Sequence, residues 1–336
     1  MTGSRRPRAL FAMESAELVR ELFGPHDRSE LERFVDLDDL VLTPDHLGVP
    51  ASTADVEILI TGWGAPTLDE RMLAHWPRLR AVVHSAGSVK RLVTPAVWER
   101  GIRVTSAAEA NAVPVAEYTL ATILLSASDT LRSARHFVRT QDMVASRPRG
   151  EVGAFGITIG VIGASRIGRR VIELLRPFDM TCLVVDPSLT SEAAVALGAE
   201  LVTLDELLRR SQVVTIHAPA LPETRHMIAG RELALMANGA TLINTARGSL
   251  VDTDALVNEL AADRLRAVLD VTDPEPLPAG HPLFSLPGAV LTPHIAGSIG
   301  NELRRLGHHV VGEVERFVVT GDFADEVTSP DLERIA

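Results

Sequence analysis

Three side chains in the second half of the chain could together carry out acid–base chemistry on an anionic substrate. They are Arg247, Glu275 and His294. An arginine guanidinium binds a carboxylate through two parallel hydrogen bonds. A histidine transfers a proton near neutral pH, and a neighbouring glutamate fixes its tautomer and favours the imidazolium. Taken singly, each could be a surface ion pair, a solvated carboxylate or a core histidine, but their joint occurrence indicates proton transfer on a carboxylate-bearing substrate.

Each of these three side chains follows a short apolar run of the kind that forms a buried strand. The runs, in the order of the residues above, are 241–243, 267–270 and 290–292. In an open α/β sheet, ligands bind outside the carboxyl ends of the strands. We therefore expect the three loops to converge on one crevice.

A glycine-rich turn upstream indicates a nucleotide site. The run 158–162 leads into Gly163, Ser165 and Gly168, which match the G-x-G-x-x-G pattern except that Ser165 replaces the second glycine. Such a turn places a pyrophosphate at a helix N-terminus. Asp186 ends the next apolar run, 18 residues after Gly168, where a carboxylate accepts hydrogen bonds from a ribose 2′-OH and repels a 2′-phosphate. The combination favours NAD over NADP.

Val- and Ile-rich runs recur along the chain and alternate with segments of helical pattern. The first set comprises 56–60, 79–83 and 102–105, and the second set 158–162, 181–185, 213–216, 241–243, 267–270 and 290–292. This alternation predicts βαβ units and parallel sheets. Helices are predicted over 204–210, 253–263 and 302–320, and another near Asn111 with Pro114 in its first turn.

Composition narrows the class of protein. The 336 residues carry a formal net charge of −11, which argues against nucleic acid and anionic membrane as partners because both require a basic surface. The only cysteine is Cys182, so neither an intrachain disulfide nor a cysteine-based metal site is expected. The longest apolar stretch, 112–127, is shorter than the ~20 residues of a membrane span. We expect a two-domain cytoplasmic protein without a metal.

The chain resembles the D-isomer-specific 2-hydroxyacid dehydrogenase family between about Asn111 and Gly297. The resemblance rests on three ordered segments at family spacing: His217-Ala-Pro219-Ala-Leu-Pro-Glu-Thr224-Arg, Asn244-Thr-Ala-Arg-Gly, and Glu275-Pro-Leu-Pro-Ala-Gly-His281-Pro-Leu. It implies an α/β protein with two Rossmann-like domains. One would be a doubly wound parallel-sheet NAD-binding domain at 109–299, and the other a smaller flavodoxin-like substrate domain formed by 1–108 and 300–336.

The resemblance also implies roles for individual residues. Arg247 would bind and polarise a 2-oxo acid, His294 would be the acid/base, and Glu275 would be its partner. The residues implied to bind the cofactor are Gly163, Ser165, Arg166, Ile167, Gly168, Asp186, His217, Ala218, Pro219, Thr224, Thr245, Ala246, Asp270 and Gly297. A homodimer through the region 113–138 is a further expectation.

The first-domain loop departs from the family pattern. Family members usually have there a G-x-G followed by a turn residue and Asp, whose backbone amides hold the substrate carboxylate, and only Gly87 remains of it. We expect Ala86, Gly87 and Ser88 to bind substrate beside Arg247 and His294. Lys90 either reaches an anionic group of the substrate or is simply solvated. Trp63 either shapes the same pocket or packs as a structural residue.

The function expected from these features is NAD-dependent interconversion of a small 2-oxo acid and its D-2-hydroxy acid, with hydroxypyruvate or glyoxylate as typical substrates. Formate oxidation is disfavoured, because that branch has glutamine where this chain has Glu275. Oxidation of phosphoglycerate is an alternative, although the chain ends at Ala336 without the regulatory domain that many such enzymes append. An NAD(H)-sensing, corepressor-like binding protein is the alternative outside the enzymes.

Overall fold

The structure, a computed structural model, describes residues 5–45, 48–150 and 152–333. The chain divides into two compact units, Met1–Ala112 with Ser298–Ile335, and Val113–Gly297. The sequence predicts independently folding domains with the limits 1–108 with 300–336 and 109–299. These limits stay a prediction. Residues 1–4, 46, 47, 151 and 334–336 of those limits lie outside the described residues.

Regular elements alternate along the chain. The strands are β1 (Arg8–Ala12), β2 (Asp36–Leu42), β3 (Ile58–Thr61), β4 (Ala81–His84), β5 (Arg103–Ser106), β6 (Thr158–Ile162), β7 (Thr181–Val185), β8 (Glu200–Leu201), β9 (Val213–Ile216), β10 (Thr241–Asn244), β11 (Arg266–Leu269), β12 (Ala289–Leu291) and β13 (Glu326–Val327). The helices are α1 (Ala16–Leu22), α2 (Pro25–Phe34), α3 (Glu70–Leu73), α4 (Pro95–Glu99), α5 (Ala108–Ala127), α6 (Thr130–Thr140), α7 (Arg166–Leu175), α8 (Ser191–Leu197), α9 (Leu204–Arg210), α10 (Gly230–Leu235), α11 (Thr253–Ala261) and α12 (Leu303–Thr320).

The first unit contains a six-stranded sheet in the order β13-β5-β4-β3-β1-β2. Its strands are parallel except β13, which runs antiparallel to β5. The part β2-β1-β3-β4-β5 has the flavodoxin-like strand order. Strands β1, β2 and β13 were not predicted from the sequence. Three aspartates in Asp36–Leu42 hide the apolar pattern of β2, which is tolerated because β2 lies at an edge of the sheet.

The second unit contains a seven-stranded parallel sheet in the order β12-β11-β10-β9-β6-β7-β8. Renumbered from its first strand, β6, this is the 3-2-1-4-5-6 order of a Rossmann sheet with one added strand. All strands expected in this part of the chain are present, and buried aliphatic side chains pack on both faces of the sheet. The prediction of an α/β protein with two Rossmann-like folds is confirmed.

Helix α5 begins earlier than expected. Its first residue is Ala108, so Pro114 lies inside the helix and not in its first turn. A proline there removes the hydrogen bond that its N–H would donate one turn back. Tertiary packing outweighs that cost, since Ala112, Val115, Ala116 and Ile123 are all buried.

Cys182 is buried in β7, and burial raises the pKa of its thiol to about 12, which makes the thiol a poor nucleophile. Among the described residues, no helix combines the length and apolar character required to cross a bilayer.

Candidate active site

The glycine-rich turn joins β6 to α7. Two of its positions, Gly163 and Gly168, have no space for a side chain. Gly163 has φ +95°, and a Cβ there would lie 2.8 Å from the backbone nitrogen of Ala218. A Cβ on Gly168 would lie 2.0 Å from the carbonyl oxygen of Gly163. These close approaches make a tight turn from the carboxyl end of β6 to the N-terminus of α7, the place where a dinucleotide pyrophosphate binds in such folds.

Ser165 fits this turn without strain. Its φ is −65°, so no glycine is needed on conformational grounds, and its Oγ caps α7 by accepting a hydrogen bond from the N–H of Gly168 at 3.4 Å. Arg166 is exposed and Ile167 half-buried in the first turn of the helix. The departure from the glycine pattern therefore leaves the local fold intact.

Asp186 follows β7 and faces the turn. Its Oδ2 accepts a hydrogen bond from the N–H of Ala164 at 2.7 Å, and its Oδ1 accepts from the N–H and hydroxyl of Ser188. Burial alone would raise its pKa, but the hydrogen bonds from Ser188 and Ala164 outweigh it and lower the pKa below the usual value. A carboxylate is thus held in its charged form beside the glycine turn.

The loop after β9 lies under the same turn. His217 is buried, with Nε2 3.0 Å from the Thr215 hydroxyl, and burial lowers its pKa to about 3. Its Nδ1 has no hydrogen-bond partner among the described residues. Thr224 donates to the carbonyl of Pro219 at 2.7 Å and closes the loop that begins with Ala218. The imidazole of His217 is therefore neutral beneath the turn.

The loop after β10 carries Arg247. The side chain of Asn244 accepts from the N–H of Ala246 and donates to the carbonyl of Arg247, which fixes the loop. The hydroxyl of Thr245 lies 3.2 Å from that of Thr119. A Cβ on Gly248 would lie 2.0 Å from the carbonyl group of Thr272, so this loop is pressed against the one that leads to Glu275.

His294 and Glu275 form a hydrogen-bonded pair. The Nδ1 of His294 lies 2.6 Å from Oε1 of Glu275, and both side chains are exposed. Because Nδ1 is engaged, Nε2 remains to face a ligand. His294 has φ +55°, a left-handed conformation that most residues avoid.

Asp270 holds the His294 loop in place. It is 2 % exposed, and its oxygens accept hydrogen bonds from the Thr292 hydroxyl and from the N–H groups of Ile295 and Ala296, all within 2.8 Å. The N–H of His294 donates to the Asp270 carbonyl. The contact of Asp270 with the cofactor stays a prediction. The same holds for Gly297, which lies half-buried at the end of this loop.

The first-domain residues lie after β3 and β4 of the first unit. His84 is buried, with Nδ1 3.0 Å from the Thr61 hydroxyl and a hydrogen bond to the Ser88 backbone, and burial lowers its pKa to about 4. Ala86 is buried, Gly87 and Ser88 are half-buried, and Lys90 is exposed. Trp63, on the loop after β3, is 41 % exposed. His84 therefore anchors the loop that the sequence assigns to substrate.

The two buried histidines should make the fold acid-sensitive. In the unfolded chain they bind protons below pH 6.5, whereas the folded protein keeps His84 neutral down to about pH 4 and His217 to about pH 3. Stability is therefore lost as pH falls from 6.5, by about 1 kcal/mol per histidine between pH 6.5 and 5.5. Urea unfolding at both pH values measures this. His84→Asn and His217→Asn should each reduce the loss and exposed His75→Asn should not; equal stability at the two pH values would contradict the prediction.

Several contributing residues were missed by sequence reasoning. Asn244 orders the Arg247 loop. The Thr292 hydroxyl donates to the Asp270 carboxylate and lies 2.9 Å from the Tyr118 hydroxyl. The side-chain oxygen of Asn111 accepts a hydrogen bond from the N–H of Ser298. Asn244 is the first residue of a quoted segment and Thr292 ends the run 290–292, so their position at strand ends was an available signal. Tyr118 lies 174 residues from Thr292, and only the fold reveals that contact.

Comparison with known proteins agrees with this geometry. Residues 121–296 match the family model described as D-isomer specific 2-hydroxyacid dehydrogenase, NAD binding domain. A glyoxylate reductase of Aeropyrum pernix is 34 % identical over 84 % of this chain and 86 % of its own length. A D-3-phosphoglycerate dehydrogenase of Methanocaldococcus jannaschii is 31 % identical over 86 % of this chain and 54 % of its own. The chain thus spans about half the length of the phosphoglycerate dehydrogenases that it matches.

A solved structure is similar to this chain over both units. The TT0316 protein of Thermus thermophilus is 31 % identical, covers 96 % of this chain with all of its own length, and superposes with a TM-score of 0.75. The family model includes the glycine turn, Asp186, Arg247, Glu275 and His294. This chain belongs to the D-isomer specific 2-hydroxyacid dehydrogenase family and carries its NAD-binding domain.

Proposed function

We propose that this protein reduces a small 2-oxo acid of the glyoxylate or hydroxypyruvate type to its D-2-hydroxy acid, using NADH, and catalyses the reverse oxidation. The observation that carries the proposal is the 2.6 Å pair of His294 and Glu275 on loops that follow β12 and β11. Arg247 follows β10, the next strand of the same sheet. An acid/base and a carboxylate-binding group thus lie at neighbouring strand ends of a nucleotide-binding sheet.

Each residue has a defined task in the proposed reaction. Bound NADH supplies a hydride to the carbonyl carbon. His294, held through Nδ1 by Glu275, gives the proton on Nε2 to the carbonyl oxygen, so that one hydride and one proton complete the alcohol. Arg247 binds the carboxylate and stabilises the negative charge that develops on the oxygen. In the oxidation, His294 takes the proton back.

The cofactor is proposed to be bound by the glycine turn and the loops around it. The contributing residues are Gly163, Ser165, Arg166, Ile167, Gly168, Asp186, His217, Ala218, Pro219, Thr224, Thr245, Ala246, Asp270 and Gly297. The close backbone approaches at Gly163 and Gly168 form the tight strand-to-helix turn at the N-terminus of α7, and this turn supports binding of a pyrophosphate there. The charged carboxylate of Asp186 supports NAD over NADP, because it would repel a 2′-phosphate.

Asp186→Asn tests the cofactor choice. The amide keeps an acceptor for the N–H of Ala164 and removes the negative charge, so the ratio of kcat/KM with NADH to that with NADPH should fall about 10-fold or more, a change of ~1.4 kcal/mol. Steady-state rates with both cofactors give this ratio. Asp205→Asn, at an exposed ion pair on α9, is the matched control. An unchanged ratio in Asp186→Asn would assign discrimination to other residues.

A screen of 2-oxo acids by loss of NADH absorbance tests the activity. Glyoxylate and hydroxypyruvate should be reduced, and the hydroxy-acid product of hydroxypyruvate should be the D isomer. Uniform inactivity together with tight NADH binding would instead favour an NAD(H)-sensing protein. Oxidation of D-3-phosphoglycerate with NAD is the second candidate. It is supported by the names of several relatives and by the exposed Lys90 on the loop after β4.

Ala86, Gly87, Ser88, Lys90 and Trp63 are proposed as further substrate residues. Lys90→Gln separates the two candidates, because it should raise KM for D-3-phosphoglycerate and leave KM for glyoxylate unchanged if Lys90 binds the phosphate. Trp63→Phe should alter substrate preference if the indole contacts substrate. Equal effects on all substrates, or none, would remove Lys90 and Trp63 from the site.

Glu275→Gln should lower kcat about 10- to 100-fold while NADH affinity stays unchanged. The amide keeps a hydrogen bond to Nδ1 of His294 but loses the charge assistance, which is worth about 1.5–3 kcal/mol. Stopped-flow hydride transfer and NADH fluorescence titration measure the two quantities. Glu223→Gln, on the turn that follows β9, is the control; a wild-type rate in Glu275→Gln would show that the pair is not used.

We also propose a cytoplasmic homodimer formed through the region 113–138. Four apolar side chains on α6 and the segment after it are exposed: Phe137, Val138, Met143 and Val144, by 46, 78, 57 and 62 %. Such a surface is unfavourable in water unless it is covered. Light scattering of the wild type should give a dimer mass and Val138→Glu a monomer; a monomeric wild type at micromolar concentration would refute the proposal.

A further inference from the structure

A second cluster of ionisable side chains lies on the unit that does not contain Arg247, Glu275 and His294. His309 and Glu313 are one turn apart on α12, and Asp325 immediately precedes β13. One donor atom from each side chain lies within 4.8 Å of the other two. Nε2 of His309 is 3.6 Å from Oδ2 of Asp325. The proposed dehydrogenase reaction uses none of the three residues.

Glu313 is a buried carboxylate, only 4 % exposed. Its Oε2 accepts hydrogen bonds from the Thr105 hydroxyl and from the N–H groups of Ala324 and Asp325, whereas its Oε1 accepts only from Ala324 at 3.2 Å. Oε1 therefore has fewer hydrogen bonds than Oε2 and retains a lone pair that a cation could use. Within the described part of the chain, no arginine or lysine forms an ion pair with this carboxylate. Burying a charge in this way is costly unless a cation compensates it.

His309 adds a second observation. Its Nε2 is buried and makes no hydrogen bond with any described residue, because Asp325 is slightly too far away. Buried polar atoms are nearly always satisfied, and one that is not calls for a specific explanation. An imidazole nitrogen that faces two carboxylates is a common ligand arrangement for divalent transition metals.

We propose that His309, Glu313 and Asp325 bind a divalent transition-metal ion of the zinc class. In a tetrahedral site with metal–ligand bonds of about 2.0–2.2 Å, ligand atoms are about 3.4 Å apart. The 3.6 Å between Nε2 and Oδ2 is already close to that spacing. Two carboxylates and a neutral imidazole balance the 2+ charge. The three residues line part of an open groove of about 730 Å³, which leaves room for a water as fourth ligand.

The bound ion would tie the end of the chain to α12. Asp325 leads directly into β13, whose residues Glu326 and Val327 pair with β5. A metal shared by α12 and Asp325 would fix this edge strand against the helix. We therefore assign the site a stabilising role, since an ion that binds only the folded state stabilises it by mass action.

Calorimetric titration of the chelator-treated, dialysed protein with Zn²⁺ tests the proposal. One ion per chain should bind with micromolar or tighter affinity, and His309→Gln and Asp325→Asn should each weaken binding at least about 10-fold. His308→Gln is the matched control, because the neighbouring ring bonds Asp27 instead, at 3.3 Å. His294→Asn excludes binding at the catalytic pair. Undetectable binding, or wild-type affinity in His309→Gln, would overturn the proposal.

Thermal unfolding gives a second readout that does not depend on activity. Zn²⁺ at about 100 times its Kd should raise the Tm of the wild type and of His308→Gln by about 5 °C, and that of His309→Gln by much less. Circular dichroism without metal should show that the variants are folded. An equal rise in wild type and His309→Gln would overturn the stabilising role.

Discussion

His294→Asn is expected to lower kcat for 2-oxo acid reduction by about 10²- to 10⁴-fold, the usual contribution of a positioned general acid. Asparagine is the informative substitution because His294 has φ +55°, and asparagine adopts that conformation far more readily than alanine. His294→Ala should also abolish turnover, with added backbone strain. The asparagine side-chain amide does not act as an acid near neutral pH, so the fall in kcat measures the contribution of the histidine as proton donor.

The control measurement is NADH binding. In the proposed mechanism His294 acts only on the substrate oxygen, so fluorescence titration should give a wild-type Kd for NADH in His294→Asn. The loop should stay in place because Asp270 holds it through the N–H groups of Ile295 and Ala296. An active variant would eliminate His294 as the acid, whereas loss of NADH affinity would indicate a collapsed loop.

Arg247→Ala is expected to lower kcat/KM for 2-oxo acids by about 10²- to 10⁴-fold. Two charge-assisted hydrogen bonds to the substrate would be lost, each worth about 1.5–3 kcal/mol. Arg247→Lys should recover only part of this, because an ammonium group cannot reproduce the bidentate fork. Since the arginine both binds and polarises the substrate, KM should rise and kcat should fall.

Arg209→Ala provides the matched control. Arg209 lies on α9 of the same unit, exposed and paired with Asp205 at 3.3 Å, so its removal should leave kcat/KM unchanged. NADH affinity should be close to wild type in both arginine variants. Wild-type kcat/KM in Arg247→Ala would refute the assignment of the substrate carboxylate to this residue.

The sequence predicted most of the second unit because its signals are local. Each strand there except the two-residue β8 is a short run of mostly aliphatic residues, and the alternation of such runs with helical segments predicts a parallel sheet. The glycine turn, Asp186 and the three reactive side chains were all identifiable, since each lies at or just after the carboxyl end of such a run. In the first unit, β1 and β2 were missed, and in β2 the reason is that Asp36–Leu42 carries its apolar residues among aspartates.

The sequence by itself determined the family, two mainly parallel sheets and the strand-end positions of Arg247, Glu275 and His294. Only the tertiary structure decided that the Asp270 carboxylate accepts its hydrogen bonds from the His294 loop and that Thr105 and Asp325 surround Glu313. The physical reason is range: strand and turn patterns depend on neighbouring residues, whereas these contacts join segments brought together by sheet pairing, such as β13 with β5. The i, i+4 spacing of His309 and Glu313 is visible in the sequence, but the third ligand that makes it a site is not.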